Sequence, residues 1–159
     1  MTLEELNRAS RGETRERLLS CCGARAWAEG MTDARPFVSR EELLIRAGEV
    51  WRALPPRSWR EAFAAHPRIG ERTTGVAARE QAGARDVSPE TAAALAQANR
   101  EYEERFGHVF LVFATGKSAE EMLANCRARL HNDPETELSI AAKEQEKITR
   151  LRLEMLLAP

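Results

Sequence analysis

The sequence predicts an all-α fold, a single-domain bundle of about eight to nine helices over residues 1–159. Two observations carry this. Ala and Leu together number 42 while Val and Ile number 10, a helix-forming composition that argues against a β-sandwich or a large parallel sheet. Seven helix starts are also legible along the 159 residues, which leaves little chain for strands. At 43% hydrophobic residues the chain can bury a core and does not read as disordered.

The starts come in order. The Ser/Thr-x-x-Glu pattern satisfies orphan backbone donors reciprocally; it occurs at Thr2/Glu5, Ser10/Glu13, Ser39/Glu42, Ser58/Glu61 and Ser118/Glu121. Ser88-Pro89 and Asp133-Pro134 add two starts with proline at the first helical position. These signals place helices at 3–8, 11–20, 24–30, 40–53, 58–65, 76–82, 89–106, 118–131 and 134–157, with stops at Gly23, Pro55-Pro56 and Gly107. In the 89–106 helix, Ala92, Leu95, Ala96, Asn99, Tyr102 and Phe106 form one packing stripe. Segments 31–38, 66–75 and 107–117 read as irregular. Within the last, Val-Phe-Leu-Val-Phe-Ala at 109–114 has no partner strand in sight and reads as a buried extended segment or helical turn.

Charge and termini narrow the function classes. The 24 basic and 25 acidic residues leave a formal charge of −1, which disfavours bulk attraction to nucleic acid or to an anionic membrane. No apolar run is long enough to cross a bilayer. The acidic start Met1-Thr2-Leu3-Glu4-Glu5 lacks the features of a signal peptide, and Leu157-Ala158-Pro159 is no targeting tripeptide. Cys21 and Cys22 are adjacent, a geometry that strains a bridge. With Cys126 they read as reduced thiols of a cytoplasmic protein. No spacing resembles a zinc site, so no metal is expected.

Three places carry candidate chemistry. His66 follows a helix end and precedes Pro67, which holds it in extended backbone. It is either a cap for the last carbonyls or a proton-transfer group. Glu80-Gln81 sits among Ala77, Ala78, Ala82, Gly83 and Ala84; small neighbours admit a ligand, although without further context these residues read first as a solvated face. Arg152 falls, by helical phase, within the stripe of Ala141, Ile148 and Met155, while Arg150 falls about 160° away. A guanidinium on a buried face needs an anion. That anion is an internal carboxylate or a substrate carboxylate gripped bidentately. Gly116-Lys117-Ser118 lacks the upstream glycine of a phosphate loop, the place being taken by Leu111. His108 and His131 are isolated. Trp27, Trp51 and Trp59 read as core or interface aromatics.

Taken together these motifs resemble a known family. Trp27-Ala28, Arg35-Pro36-Phe37, Ala64-Ala65-His66-Pro67-Arg68-Ile69-Gly70 and Glu80-Gln81-Ala82-Gly83 appear in order. Asn99-x-x-Tyr102-Glu103-x-Arg105-Phe106-Gly107, Ala114-Thr115-Gly116-Lys117-Ser118 and Lys147-Ile148-Thr149-Arg150-Leu151-Arg152-Leu153 follow. The series resembles the 2-oxo-4-hydroxy-4-carboxy-5-ureidoimidazoline (OHCU) decarboxylases of urate degradation, from Leu3 to Leu157. The resemblance implies an all-helical homodimer that decarboxylates OHCU, a small-molecule substrate, to (S)-allantoin without a cofactor. It assigns catalytic roles to His66, Glu80 and Arg152. It assigns substrate contacts to Pro67, Gln81 and the main chain of Phe110, Leu111, Val112, Phe113 and Ala114. Two departures stand out: a frequent serine three residues before the acidic group is Ala77 here, and a frequent Phe after Arg-Phe-Gly is His108.

Two rival classes remain on sequence grounds. A non-enzymatic helical module, for protein interaction or nucleic-acid binding, fits the all-α pattern and the 21 arginines. It does not call for His66, Glu80 and Arg152 to converge. A hydrolase acting on a ureido group or cyclic amide would need an activated water, usually metal-bound.

Overall fold

A computed structural model of the chain describes residues 1–70, 80–84 and 87–158, and these contain eight α-helices and no strand. The helices are α1 (Leu3–Arg8), α2 (Arg11–Leu19), α3 (Arg25–Asp33), α4 (Arg40–Arg52), α5 (Pro56–Ala64), α6 (Pro89–Phe106), α7 (Ala119–Arg129) and α8 (Pro134–Leu156). A 3-10 turn covers Ala82–Ala84. The all-α class is the one the composition predicts. Of the helix expected at 76–82, residues 76–79, Ala77 among them, lie outside the described residues. Two compact units emerge: Met1–Ala62 with Glu146–Pro159, and Phe63–Gln145.

In the first unit, Thr2 with Glu5 and Ser10 with Glu13 form reciprocal capping boxes. Ser39 makes half of one: its side chain accepts the Glu42 amide, but Glu42 Oε2 takes the Val38 amide at 2.6 Å. Helix α3 runs past its expected end at residue 30. Gly30 sits inside it because α4 comes close there: a Cβ would lie 2.9 Å from Val50 Cγ1.

The expected Ser58/Glu61 box does not form. Helix α5 starts at Pro56, so that proline occupies the first helical position and Ser58 lies inside the helix. Glu61 instead accepts the Arg25 amide at 2.6 Å and the Arg25 guanidinium at 3.4 Å. It thereby serves the first turn of α3, whose own cap residue, Ala24, makes no side-chain bond. Trp27 is fully buried with its Nε1 donating to the Ala47 carbonyl at 3.0 Å. Trp51 is buried as well, and half-buried Trp59 donates to its carbonyl at 3.0 Å. Trp27 and Trp51 are therefore core residues of this chain.

In the second unit, Ser88 caps α6 with Pro89 at the first position, and Gly107 closes it at φ +77°. Ser118 and Glu121 form the box that opens α7. Asp133 opens α8 by accepting the Thr136 amide at 2.9 Å. The core of this unit joins Ile69, Leu95, Tyr102, Phe110, Val112, Met122 and Cys126.

The 109–114 run has no regular secondary structure, and Phe110, Leu111, Val112 and Ala114 are buried. Buried backbone groups need partners, and here neighbouring groups supply them in place of a ladder. The Leu111 carbonyl accepts Arg129 Nη1 at 2.7 Å, and the Phe113 amide donates to Glu144 Oε1 at 3.0 Å. The Phe113 carbonyl accepts Lys117 Nζ at 2.8 Å, and the Ala114 carbonyl accepts the Lys117 amide at 3.0 Å.

Candidate active site

The second unit holds most of the residues singled out above. Helix α5 ends at Ala64, and the chain turns through residues 65–70. The His66 amide closes on the Phe63 carbonyl at 3.1 Å, and Pro67 follows at once. His66 and Pro67 are both half-buried. The imidazole Nε2 lies 2.6 Å from Oε1 of Gln145, on α8. The ring thus makes a directed contact with a buried carboxamide on another helix, more than a cap of its own helix requires.

Gln81 is buried, and its Oε1 accepts the Gly70 amide at 3.1 Å. A solvated face does not describe it. Glu80 is half-buried. The 3-10 turn after this pair presses against the 116–118 loop: a Cβ on Gly83 would lie 2.1 Å from the Lys117 carbonyl oxygen, so only glycine fits. Asn99, from the α6 stripe, donates to the Ile69 carbonyl at 2.9 Å and pins the 65–70 turn from the other side of its sequence. A cavity of about 390 Å³ adjoins that turn, lined by Ile69, Gly70, Leu95, Asn99 and the Arg68–Glu103 ion pair; His66 and Gln81 are not among its walls.

Adjacent residues of α8 therefore hold two pieces of the site. Glu144 takes the Phe113 amide and Gln145 takes the His66 ring. Neither was singled out by sequence reasoning. A signal existed: Glu137, Ala141, Glu144, Gln145 and Ile148 follow helical spacing and are all buried, so polar groups sit inside the apolar stripe.

Arg152 belongs to the first unit. It is half-buried, while Arg150 is exposed and pairs with Glu154 at 3.1 Å. Helical phase thus separates the two arginines correctly. Cys21 and Cys22 lie within the electrostatic reach of Arg152. Burial pushes their thiols up to about 11 and about 12, and the Arg152 charge opposes this only in part. Such thiols are protonated at neutral pH and are poor nucleophiles. Cys126, also buried, is pushed up to about 12 by the same cause.

His108 serves as an aromatic filler. Its ring lies 5.1 Å from Phe63 and 5.6 Å from Tyr102, and its Nδ1 donates to the Val109 carbonyl at 3.0 Å. Among the described residues no group of three or more His, Cys, Asp or Glu side chains is arranged to hold a metal ion.

The family model for OHCU decarboxylase matches residues 7–154. The chain belongs to the OHCU decarboxylase family. It is 35% identical over 144 residues to the uric acid degradation bifunctional protein TTL of Arabidopsis thaliana, covering 84% of this chain and 44% of that protein. The chain thus spans under half the length of that relative. It is 30% identical over 135 residues to the OHCU decarboxylase of Amia calva, covering 80% of this chain and 77% of that one. Among solved structures, an OHCU decarboxylase crystallised in the presence of (S)-allantoin superposes with a TM-score of 0.82 at 33% identity. That match covers 91% of this chain and 99% of that OHCU decarboxylase.

Proposed function

We propose that the chain decarboxylates OHCU to (S)-allantoin in urate degradation, as a carboxy-lyase that uses no cofactor. One observation carries the reading: within a chain of this family, a half-buried histidine is aimed by a helix end, by Pro67 and by a buried carboxamide. OHCU bears a carboxylate and a hydroxyl on one carbon, beside a ring C=N. When the C–CO₂ bond breaks, its electron pair moves into that C=N, so the substrate is its own electron sink. The protein has to orient the carboxylate, stabilise developing charge and deliver a proton to one face.

In this proposal Arg152 holds the substrate anion. His66 takes up the hydroxyl proton. Glu80 accepts from the ureido and ring N–H groups. Gln81 already spends its Oε1 on the Gly70 amide, so its NH₂ is the group offered to a substrate carbonyl. The Phe113 amide is engaged by Glu144, so main-chain donation from the 110–114 run falls to the other amides there. We further propose that residues 1–159 act as one domain, that two copies form a homodimer, and that the protein works in the cytoplasm.

The test is to add purified protein to freshly generated OHCU and follow the optical rotation of the allantoin formed. Accelerated, one-handed production of (S)-allantoin is expected, unchanged after dialysis against EDTA. Racemic product at the spontaneous rate, or activity restored only by a divalent metal, would overturn the reading.

A further inference from the structure

Gln145 is fully buried, and its Oε1 lies 2.6 Å from Nε2 of His66. A buried carboxamide is costly unless its polar atoms are engaged, so this is a directed contact. A carboxamide oxygen only accepts hydrogen bonds, so the hydrogen between the two atoms belongs to Nε2. Neutral imidazole carries one N–H, and the lone pair is then on Nδ1. Which ring nitrogen acts as base is set by the hydrogen bond that the other one makes.

We infer that Gln145 is a positioning residue for His66: it holds the ring as the Nε2–H tautomer and makes Nδ1 the nitrogen that takes the substrate's proton. This rests on the reading of His66 as the proton-transfer group. The neighbouring contact strengthens it. Glu144 Oε1 accepts the Phe113 amide at 3.0 Å, so the turn of α8 that carries Gln145 is itself anchored to the 109–114 run. A glutamine also supplies an acceptor without a charge, so the contact from Gln145 is a hydrogen bond between neutral groups.

The decisive measurement is a long-range proton–nitrogen correlation spectrum of ¹⁵N-labelled protein. His66 is one of three histidines and is assigned by its loss in His66→Asn. The wild-type spectrum should show Nε2 protonated and Nδ1 unprotonated; the reverse overturns the inference and needs no variant. Gln145→Leu should shift His66 towards the Nδ1–H form. For metal-binding histidines, losing the partner that fixes the tautomer costs about 10–100-fold, and a fall in kcat of about that order is expected here. KM should move by less than about threefold, because a tautomer change acts on the proton-transfer step. Gln145→Glu keeps an oxygen acceptor and should keep Nε2 protonated, which decides the matter if the leucine variant does not fold. An unchanged tautomer and kcat in folded Gln145→Leu, or a rise in KM alone, would refute the assignment. If wild-type protein does not turn over OHCU, the functional reading fails, while the spectrum still decides the tautomer.

Discussion

Arg129 and Glu137 form a buried ion pair at 2.5 Å, with the Tyr102 hydroxyl donating to the same carboxylate oxygen. The pair spans α7 and α8, and through Arg129 Nη1 it grips the Leu111 carbonyl. Burial and the Glu137 carboxylate push the Tyr102 phenol upward, so its proton stays in place. Breaking a buried pair from one side strands a charge, which costs about 3–5 kcal/mol. Glu137→Ala should therefore lose stability of that order in urea unfolding. The double variant Arg129→Met/Glu137→Leu should lose less than either single change. Additive losses in the double variant would show that the pair is not acting as a unit.

Glu61 gives a second stability prediction, because its partner is Arg25 and not Ser58. Losing a helix cap costs about 0.5–2 kcal/mol, so Glu61→Ala should destabilise by that order. Ser58→Ala should stay within about 0.5 kcal/mol of wild type, as changes without a specific partner do. Thermal unfolding of the two variants checks this; equal losses would restore the local capping box.

These two residues mark where the sequence is legible. Starts made by a hydroxyl and its own third neighbour, as at Thr2, Ser10 and Ser118, can be read locally because both halves of the interaction lie on one turn. The start of α3 could not be read that way, since its first amide is met by a carboxylate 36 residues on. Helix α3 continues past residue 30 to Asp33, and the absent Cβ of Gly30 makes room for Val50, a neighbour supplied by the fold. Among the candidate residues, the partial burial of Arg152 is legible from helical phase and the helix end before His66 from Pro67. Gln145 and Glu144 were not, because their partners, His66 and Phe113, are joined to them only by the fold.

For the site itself, His66→Asn should keep the fold and lose the positioned proton transfer, worth about 10²–10⁴ in rate. Steady-state kinetics on OHCU with circular dichroism of the variant checks both halves. Near-wild-type turnover would leave His66 a structural residue.

The two arginines of α8 make a matched pair of tests. Arg152→Gln should weaken binding and slow decarboxylation by about 2–5 kcal/mol if it grips a buried anion. Arg150→Gln removes only an exposed contact to Glu154 and should remain within about 0.5 kcal/mol in stability. Kinetics and melting temperature measured on both separate a substrate role from a structural one. Identical kinetics in the two variants would sink the role proposed for Arg152.

The thiols predict an alkaline effect. The folded pKa values of Cys21 and Cys22, about 11 and about 12, stand above the ordinary 9.0. The native state therefore holds these protons more tightly than the unfolded chain. The stability they contribute is complete below about pH 9 and is lost as pH rises towards 11–12. Unfolding free energy should fall across that window, and Cys21→Ala/Cys22→Ala should flatten the slope. At pH 8 a thiol reagent should label the native protein slowly and the unfolded protein at once.

The polar residues on α8 act as marks on a ruler. Glu137 is fixed against Arg129, and seven and eight residues later Glu144 and Gln145 meet Phe113 and His66. Deleting one residue between these marks would turn the second set by about 100° and draw it back by about 1.5 Å. Both tethers would then point at the wrong neighbours while the helix itself remained intact. Length variation in this protein is accordingly expected in the connections between helices, and the interval from Glu137 to Gln145 should tolerate substitution far better than insertion or deletion.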